Sequence, residues 1–253
     1  MNKWIKEGYC HSFSGGQKFM INQSAWLYQY GFKQRQPTNG AMQRGLTSEF
    51  ITYYIMKREN QFKDHKSIES ITDWHFKRNK FAYDVDEVSN AIEISKQFKK
   101  ALQERQLTKI NHYQKKVVVD GKKYGLEYPI VAYTDFGFDD RIVDTKATLR
   151  CPSNPSAGHV RQQCLYSKLY DTPTSILYGT PKKYNFVDIM QGEVEQGFQE
   201  CINVFKNIEN YLKVCDTVEK AVMITPLNTD DYYFNNNMKQ EAQKQWTKMI
   251  NKM

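Results

Sequence analysis

Residue types able to do chemistry crowd most closely into the stretch DFGFDDRIVDTK, residues 135–146. Asp135 ends one run of strand character, and Asp144-Thr145-Lys146 lies on the next, so a tight hairpin brings both carboxylates to one edge of a sheet. Side chains alternate along a strand, which puts Asp144 and Lys146 on one side and Thr145 on the other. Two carboxylates and an ammonium then face one point. Two hard oxygen donors suit Mg²⁺ or Mn²⁺, because Mg²⁺ is held by one or two carboxylates together with water and phosphate oxygens. A lysine beside such an ion can position or deprotonate a water and offset charge building up on a phosphate. An Asp-x-Lys triplet alone is common as a surface ion pair. Here the apolar, β-branched Ile142-Val143 precedes it, making Asp144 the half-buried end of a strand, where an uncompensated carboxylate is costly.

The elements that must position these groups follow from periodicity. Residues 17–30 fit a helix loosely, whereas Met42, Leu46, Phe50, Tyr53 and Tyr54 keep helical spacing. Asp84 followed by Glu87 makes a capping-box-like start for a helix carrying Val85, Val88, Ile92, Phe98, Ala101 and Leu102 on one stripe. Strand patterns then take over. Residues 114–119 and 122–126 around Asp120-Gly121 read as a hairpin with a type I′ turn. Residues 130–134 and 142–146 read as two more strands joined through Phe138-Asp139-Asp140. A helix over 158–170, strands at 175–178 and 184–189, and two further helices carrying Val194 to Leu212 and Met238 to Met249 complete the chain. Helices, then strands around a crossover helix, then helices predict one α/β domain over residues 1–253: a central mixed β-sheet flanked by helices, with an N-terminal helical region.

The chain has 253 residues, 36 Lys plus Arg against 28 Asp plus Glu, and a formal charge of +8. Its mass is 29.9 kDa, its pI near 9.0 and its mean hydropathy −0.73. No apolar run approaches the ~20 residues that cross a bilayer, and no apolar segment follows the charged residues 1–6, so neither a membrane nor secretion is expected. The basic balance favours a polyanionic partner. Nine cations (Lys96, Lys99, Lys100, Arg105, Lys109, Lys115, Lys116, Lys122, Lys123) fall between residues 96 and 123 against Glu104 and Asp120, which fits phosphate contact. Five cysteines without a CxxC pair argue against a disulfide framework or zinc ribbon, and five scattered histidines against a His-based metal site. Reduced thiols and a cytoplasmic location are the expectation, the host cytoplasm if the chain is phage-encoded.

In this setting the chain resembles the PD-(D/E)XK nuclease superfamily, in particular its RecB-like exonuclease branch. Ser12-Phe13-Ser14 is similar to that family's Ser-x-Ser helix start, and Arg44-Gly45-Leu46-Thr47-Ser48-Glu49 to its Arg-Gly helix with a following acidic residue. Asp135 and Asp144-Thr145-Lys146 match its Asp and Asp/Glu-x-Lys strands, and Gln162-Gln163-Cys164-Leu165-Tyr166 its Gln-x-x-x-Tyr helix. Four ordered motifs are far more specific than any one. The resemblance implies a restriction-endonuclease-like fold and a Mg²⁺- or Mn²⁺-dependent DNA exonuclease leaving a 5′-phosphate. It implies that Asp135, Asp144 and the Thr145 carbonyl hold the ion, with Glu49 completing the site directly or through water, and that Lys146 orients the attacking water.

Gly45 lies one helical turn before Glu49, so its missing side chain leaves room for a metal or phosphate to approach. The plain alternative is a solvated helix carboxylate. Gln162 and Tyr166 share a helix face suited to the DNA backbone, though Tyr166 could equally be a core aromatic. His159 reads as a helix-start residue. Arg44 is a further candidate for DNA contact. Residues 50–110 are expected to form a helical insertion over the active site, with Trp74, Phe76, Phe81 and Tyr83 interleaved with Lys77, Arg78 and Lys80 to guide a strand. Only Cys201 and Cys215 lie late in the chain, so no iron–sulfur cluster is expected, and the chain lacks GxxxxGK[ST]. The competing readings are a flap or structure-specific endonuclease and a non-catalytic nucleic-acid-binding module. Partners would be DNA, single-stranded or double-stranded with free ends, and a single-strand-binding or annealing protein.

Overall fold

Strands form where the sequence alternates or runs apolar, and they pair into one five-stranded sheet in the order β1-β2-β3-β4-β5. Their spans are β1 His112–Val119, β2 Ile130–Gly137, β3 Ile142–Ala147, β4 Thr174–Gly179 and β5 Tyr184–Asp188. This computed structural model describes residues 4–5, 7–34, 37–61, 67–79 and 84–252, without the side chains of 58–61. Antiparallel β2 and β3 pair Gly137 with Ile142 and Phe136 with Val143. β3 and β4 run parallel from Ile142↔Thr174 to Ala147↔Gly179, a pairing that needs a crossover; β4 and β5 are antiparallel again. Helix α6, in chain order, supplies the crossover over Ala157–Tyr170. The other helices are α1 Phe13–Ile21, α2 Gln23–Tyr30, α3 Gly40–Gln61, α4 Ile68–Asn79, α5 Val85–Glu104, α7 Gln191–Val214, α8 Val218–Ile224 and α9 Asn236–Ile250. The protein is thus an α/β fold with a mixed sheet flanked by helices and an N-terminal helical region. Among the described residues no helix is long and apolar enough to cross a membrane.

Where the sequence suggests one unit over 1–253, the chain forms two compact units, residues 38–117 with 133–197, and residues 1–37 with 118–132 and 198–253. In the first, α5 lays Ile94, Phe98, Ala101 and Leu102 on Phe136, Val143 and Leu177, joined by Met56 of α3. A Cβ on Gly179 would lie 2.4 Å from the Phe98 ring, so the helix seats directly on the strand. Within the insertion expected over the active site at 50–110, α5 is a core layer of the sheet, because its amphipathic stripe must be buried. Asp84 caps α5 by accepting from the Asp86 and Glu87 N–H groups. Lys80, Phe81 and Tyr83 lie outside the described residues.

The second unit holds an aromatic cluster in which Tyr9 meets His11, Trp26, Tyr30 and Tyr128 edge-on, while His11 stacks on Phe205 at 4.7 Å. Buried His11 Nε2 lies 2.9 Å from buried Glu209, whose carboxylate also accepts the Glu127 and Tyr128 N–H groups at 2.7 and 3.0 Å. Removing one member of a buried pair strands the other and costs about 3–5 kcal/mol. Glu209→Ala is therefore expected to lower the unfolding free energy read from urea titration by that much; a loss under about 1 kcal/mol would contradict this packing.

Two expectations are corrected here. The helix expected over residues 17–30 is two helices, because Asn22 takes an extended conformation (φ −150°) and caps α2 by accepting the Ala25 N–H. The Asp120-Gly121 hairpin is absent: Asp120 instead accepts the Lys122 N–H at 3.0 Å and opens a 3-10 turn over Gly121–Tyr124. A Cβ on Gly121 would lie 2.0 Å from the Tyr128 carbonyl, and positive φ falls at Gly125 (+71°). The dipeptide thus serves a cap and a close approach.

Candidate active site

The β2–β3 ladder ends at Phe136↔Val143, and the next donor is diverted. The Thr145 N–H and hydroxyl both donate to Asp135 Oδ2, at 2.7 and 2.8 Å, so the Asp135 carboxylate stands where a strand carbonyl would. The strands part at that point, leaving the carboxylate at the floor of a cleft of about 760 Å³. Val143 and Leu177 face the α5 core, and alternation turns Asp144 and Lys146 toward α6. Lys146 Nζ lies 2.5 Å from Asp144 Oδ2 and donates to Gln162 Oε1 at 3.0 Å; Gln162 in turn donates to the Tyr166 hydroxyl at 2.8 Å. The lysine is thereby aimed by one carboxylate and one amide. Helix α3 brings Gly45 and Glu49 to the same cleft. Glu49 is buried and accepts from Gln114 at 3.0 Å.

Burial pushes the Glu49 carboxyl well above its ordinary range, and the Asp135 charge pushes it further. Burial and the Asp144 charge likewise push Asp135 up to about 7. Burial opposes charge on Lys146, but Asp144 and Asp135 outweigh it and hold the ammonium above its usual value. Carboxylates that raise one another's affinity for protons form a site that a cation relieves. Asp144 is 2 % exposed and its Oδ2 meets the Lys146 ammonium at 2.5 Å, which leaves the carboxylate further lone pairs for a ligand. Among the described residues no three His, Cys, Asp or Glu side chains form a ready-made cage. Two carboxylates with water and phosphate are the donor set Mg²⁺ uses, so the residues fit Mg²⁺ or Mn²⁺ better than a cation that demands a full protein shell.

The structure brings Asp135, Asp144, Thr145, Lys146, Glu49, Gln162 and Tyr166 to one cleft. Gln162 and Tyr166 act there first as a brace for Lys146, which their helical spacing alone does not reveal. Other expected DNA contacts lie elsewhere. Arg44, expected as a DNA contact, is buried and donates twice to Glu87, at 2.7 and 2.5 Å, tying α3 to α5. Lys77 pairs with Asp73 at 2.9 Å, and Arg78 lies 5.0 Å over the Trp74 ring; neither lines the cleft, and Lys80 is not among the described residues. Of the basic segment, Lys96, Lys100 and Arg105 pair with Glu93, Glu104 and Asp188.

Two partners at the site, Gln114 and Tyr178, had escaped the sequence reading, and His159 was read there only as a helix start. Gln114, which reaches Glu49, has φ +47° within β1, a left-handed conformation that a non-glycine residue adopts only when its surroundings enforce it. His159 lines the cleft and its Nδ1 lies 2.8 Å from the hydroxyl of buried Tyr178. Burial, then the Lys146 charge, lowers the affinity of His159 for a proton. Its place in the first turn of α6 was legible; its partner on β4 was not.

No protein-family model matches this chain, and no curated protein does. Among solved structures, one similar chain is described as "Crystal structure of SSO0001", with a TM-score of 0.33 and 11% identity over 73% of this chain and 100% of that one. A likeness at that level carries no argument about what this chain does.

Proposed function

We propose that the protein is a metal-dependent DNA exonuclease that hydrolyses phosphodiester bonds from strand ends. The observation that carries this reading is the convergence of Asp135, Asp144 and Lys146, with Glu49, in one open cleft. Asp135 and Asp144 would hold Mg²⁺ or Mn²⁺, with the Thr145 carbonyl and Glu49 beside them; the ion, when bound, supplies Lewis-acid polarisation of the phosphate. Lys146, fixed between Asp144 and Gln162, presents an ammonium to the attacking water and to the oxygens on which charge develops. Gln162 and Tyr166 limit its rotation, so little reorganisation is left for the moment of reaction. Gly45 keeps the cleft wall low beside Glu49: a Cβ there would meet nothing within 4 Å. DNA as partner and the cytoplasm as place of work belong to the same reading, supported by the +8 charge and by five cysteines, none of which forms a disulfide among the described residues.

Linear and covalently closed circular DNA, offered together with Mg²⁺, test the reading. Loss of the linear species alone is expected. Nicking or linearisation of the circle would replace the exonuclease by an endonuclease, and DNA binding without cleavage of either form would leave a binding module.

A further inference from the structure

Beside the catalytic cleft lies a second one of about 930 Å³, with Arg150, Lys182 and Lys183 among its lining and no carboxylate. The two clefts share Arg150, Pro152 and Asn154. Among the described residues these three cations have no ion-pair partner, in contrast to Lys96, Lys100 and Arg105 of the basic segment. Unpaired cations grouped on one wall repel one another, and an anion relieves that repulsion.

The backbone explains the grouping and shows that it is built. β3 and β4 are parallel, so the loops that follow them leave the sheet at the same end, where open α/β sheets gather ligands. Thr148 N–H donates to the Gly179 carbonyl at 2.9 Å and carries the pairing one residue past the strands. In the first loop the Thr148 hydroxyl donates to the Arg150 carbonyl at 3.0 Å and accepts the Arg150 N–H at 3.3 Å. In the second, buried Thr180 accepts the Lys182 and Lys183 N–H groups at 3.3 and 3.0 Å and returns a bond to the Lys183 carbonyl at 2.9 Å. Asn185 donates to the Pro152 carbonyl at 3.2 Å, linking the first loop to β5. The cations therefore project from turns that are already ordered.

We propose that this second cleft is the track along which the nucleic-acid strand runs as it meets the catalytic cleft, with Arg150, Lys182 and Lys183 on successive backbone phosphates. The inference rests on the nuclease reading and names the strand's path. It moves the main phosphate contacts from residues 96–123, where three cations are already paired, to the C-terminal ends of β3 and β4. Cations along a groove take a strand by its backbone and so without regard to sequence.

The test is binding of a labelled single strand of about 12 nucleotides, long enough to fill both clefts, with Ca²⁺ in place of Mg²⁺ and at several salt concentrations. The variant Arg150→Ala/Lys182→Ala/Lys183→Ala is compared with Lys244→Ala/Lys248→Ala/Lys252→Ala, which removes the same charge from α9 and the residues just after it. About 0.7 of a slope unit accompanies each phosphate contact on a single strand. The first variant is expected to flatten the log affinity against log salt slope by about 2 and to weaken binding about tenfold or more, with the second near wild type. Equal behaviour of the two variants, or an unchanged slope in the first, overturns the proposal. The nuclease reading is judged separately, by Mg²⁺-dependent cleavage in the wild type. Cleavage with groove-independent binding defeats the track alone; groove-dependent binding without cleavage defeats the nuclease reading alone. All six substituted side chains are solvent-facing, and a thermal melt of each variant checks that the fold is retained.

Discussion

Lys146→Ala is expected to abolish DNA cleavage, by about 10²–10⁴-fold in kcat, while leaving DNA affinity within about threefold of wild type. Among the described residues the ammonium is the one cation held against the paired carboxylates, and its direction is set by contacts of 2.5 Å to Asp144 and 3.0 Å to Gln162. Alanine removes the charge from the point where, on this reading, phosphate charge develops. Affinity is spared because phosphates elsewhere on the strand carry binding. Lys146→Arg is expected to recover only a small part of the rate, because a planar guanidinium does not fit a contact made by a compact ammonium. Single-turnover cleavage and fluorescence anisotropy on the same preparations separate the two effects. Wild-type turnover by Lys146→Ala would remove the lysine from the mechanism.

Asp144→Asn is the second large expectation. A neutral amide is a poorer ligand for a hard cation, so activity should fall about 10²-fold or more and Mg²⁺ affinity with it. Mg²⁺ that binds the folded chain raises thermal stability by about 2.7 kcal/mol at one hundred times its dissociation constant. The wild type should therefore melt higher in Mg²⁺ than in chelator, and Asp144→Asn should lose that difference. An unchanged Mg²⁺-induced rise in Asp144→Asn would show that Asp144 is not a ligand.

Much of the site was legible because its signals are local. Ile142-Val143 ahead of Asp144-Thr145-Lys146 announces a strand with its polar end buried, and alternation alone puts Asp144 and Lys146 on one face. Gln162 and Tyr166 fall on one helix face by their spacing of four, and Asp84 marks the start of α5 by its capping chemistry. What stayed hidden depends on contacts between distant residues. Arg44 has the charge of a DNA contact, but Glu87, 43 positions on, takes it into a buried pair. Asp120-Gly121 has the composition of a type I′ turn, but the approach of the Tyr128 carbonyl fixes a different geometry. Gln114 reaches Glu49 through a left-handed backbone that no composition signal marks. Arg150, Lys182 and Lys183 look like scattered loop cations until the parallel register of β3 and β4 brings their turns to one end of the sheet.

The central claim is that the Asp135, Asp144 and Lys146 cleft hydrolyses phosphodiester bonds with a divalent cation. Release of acid-soluble nucleotide from uniformly labelled linear DNA, followed as Mg²⁺ is titrated in and then chelated, tests it most directly. The account predicts release that rises with Mg²⁺ to saturation, stops on chelation, resumes when Mg²⁺ is restored and is absent from Lys146→Ala. Release that continues in chelator, or that Lys146→Ala supports at the wild-type rate, would contradict it.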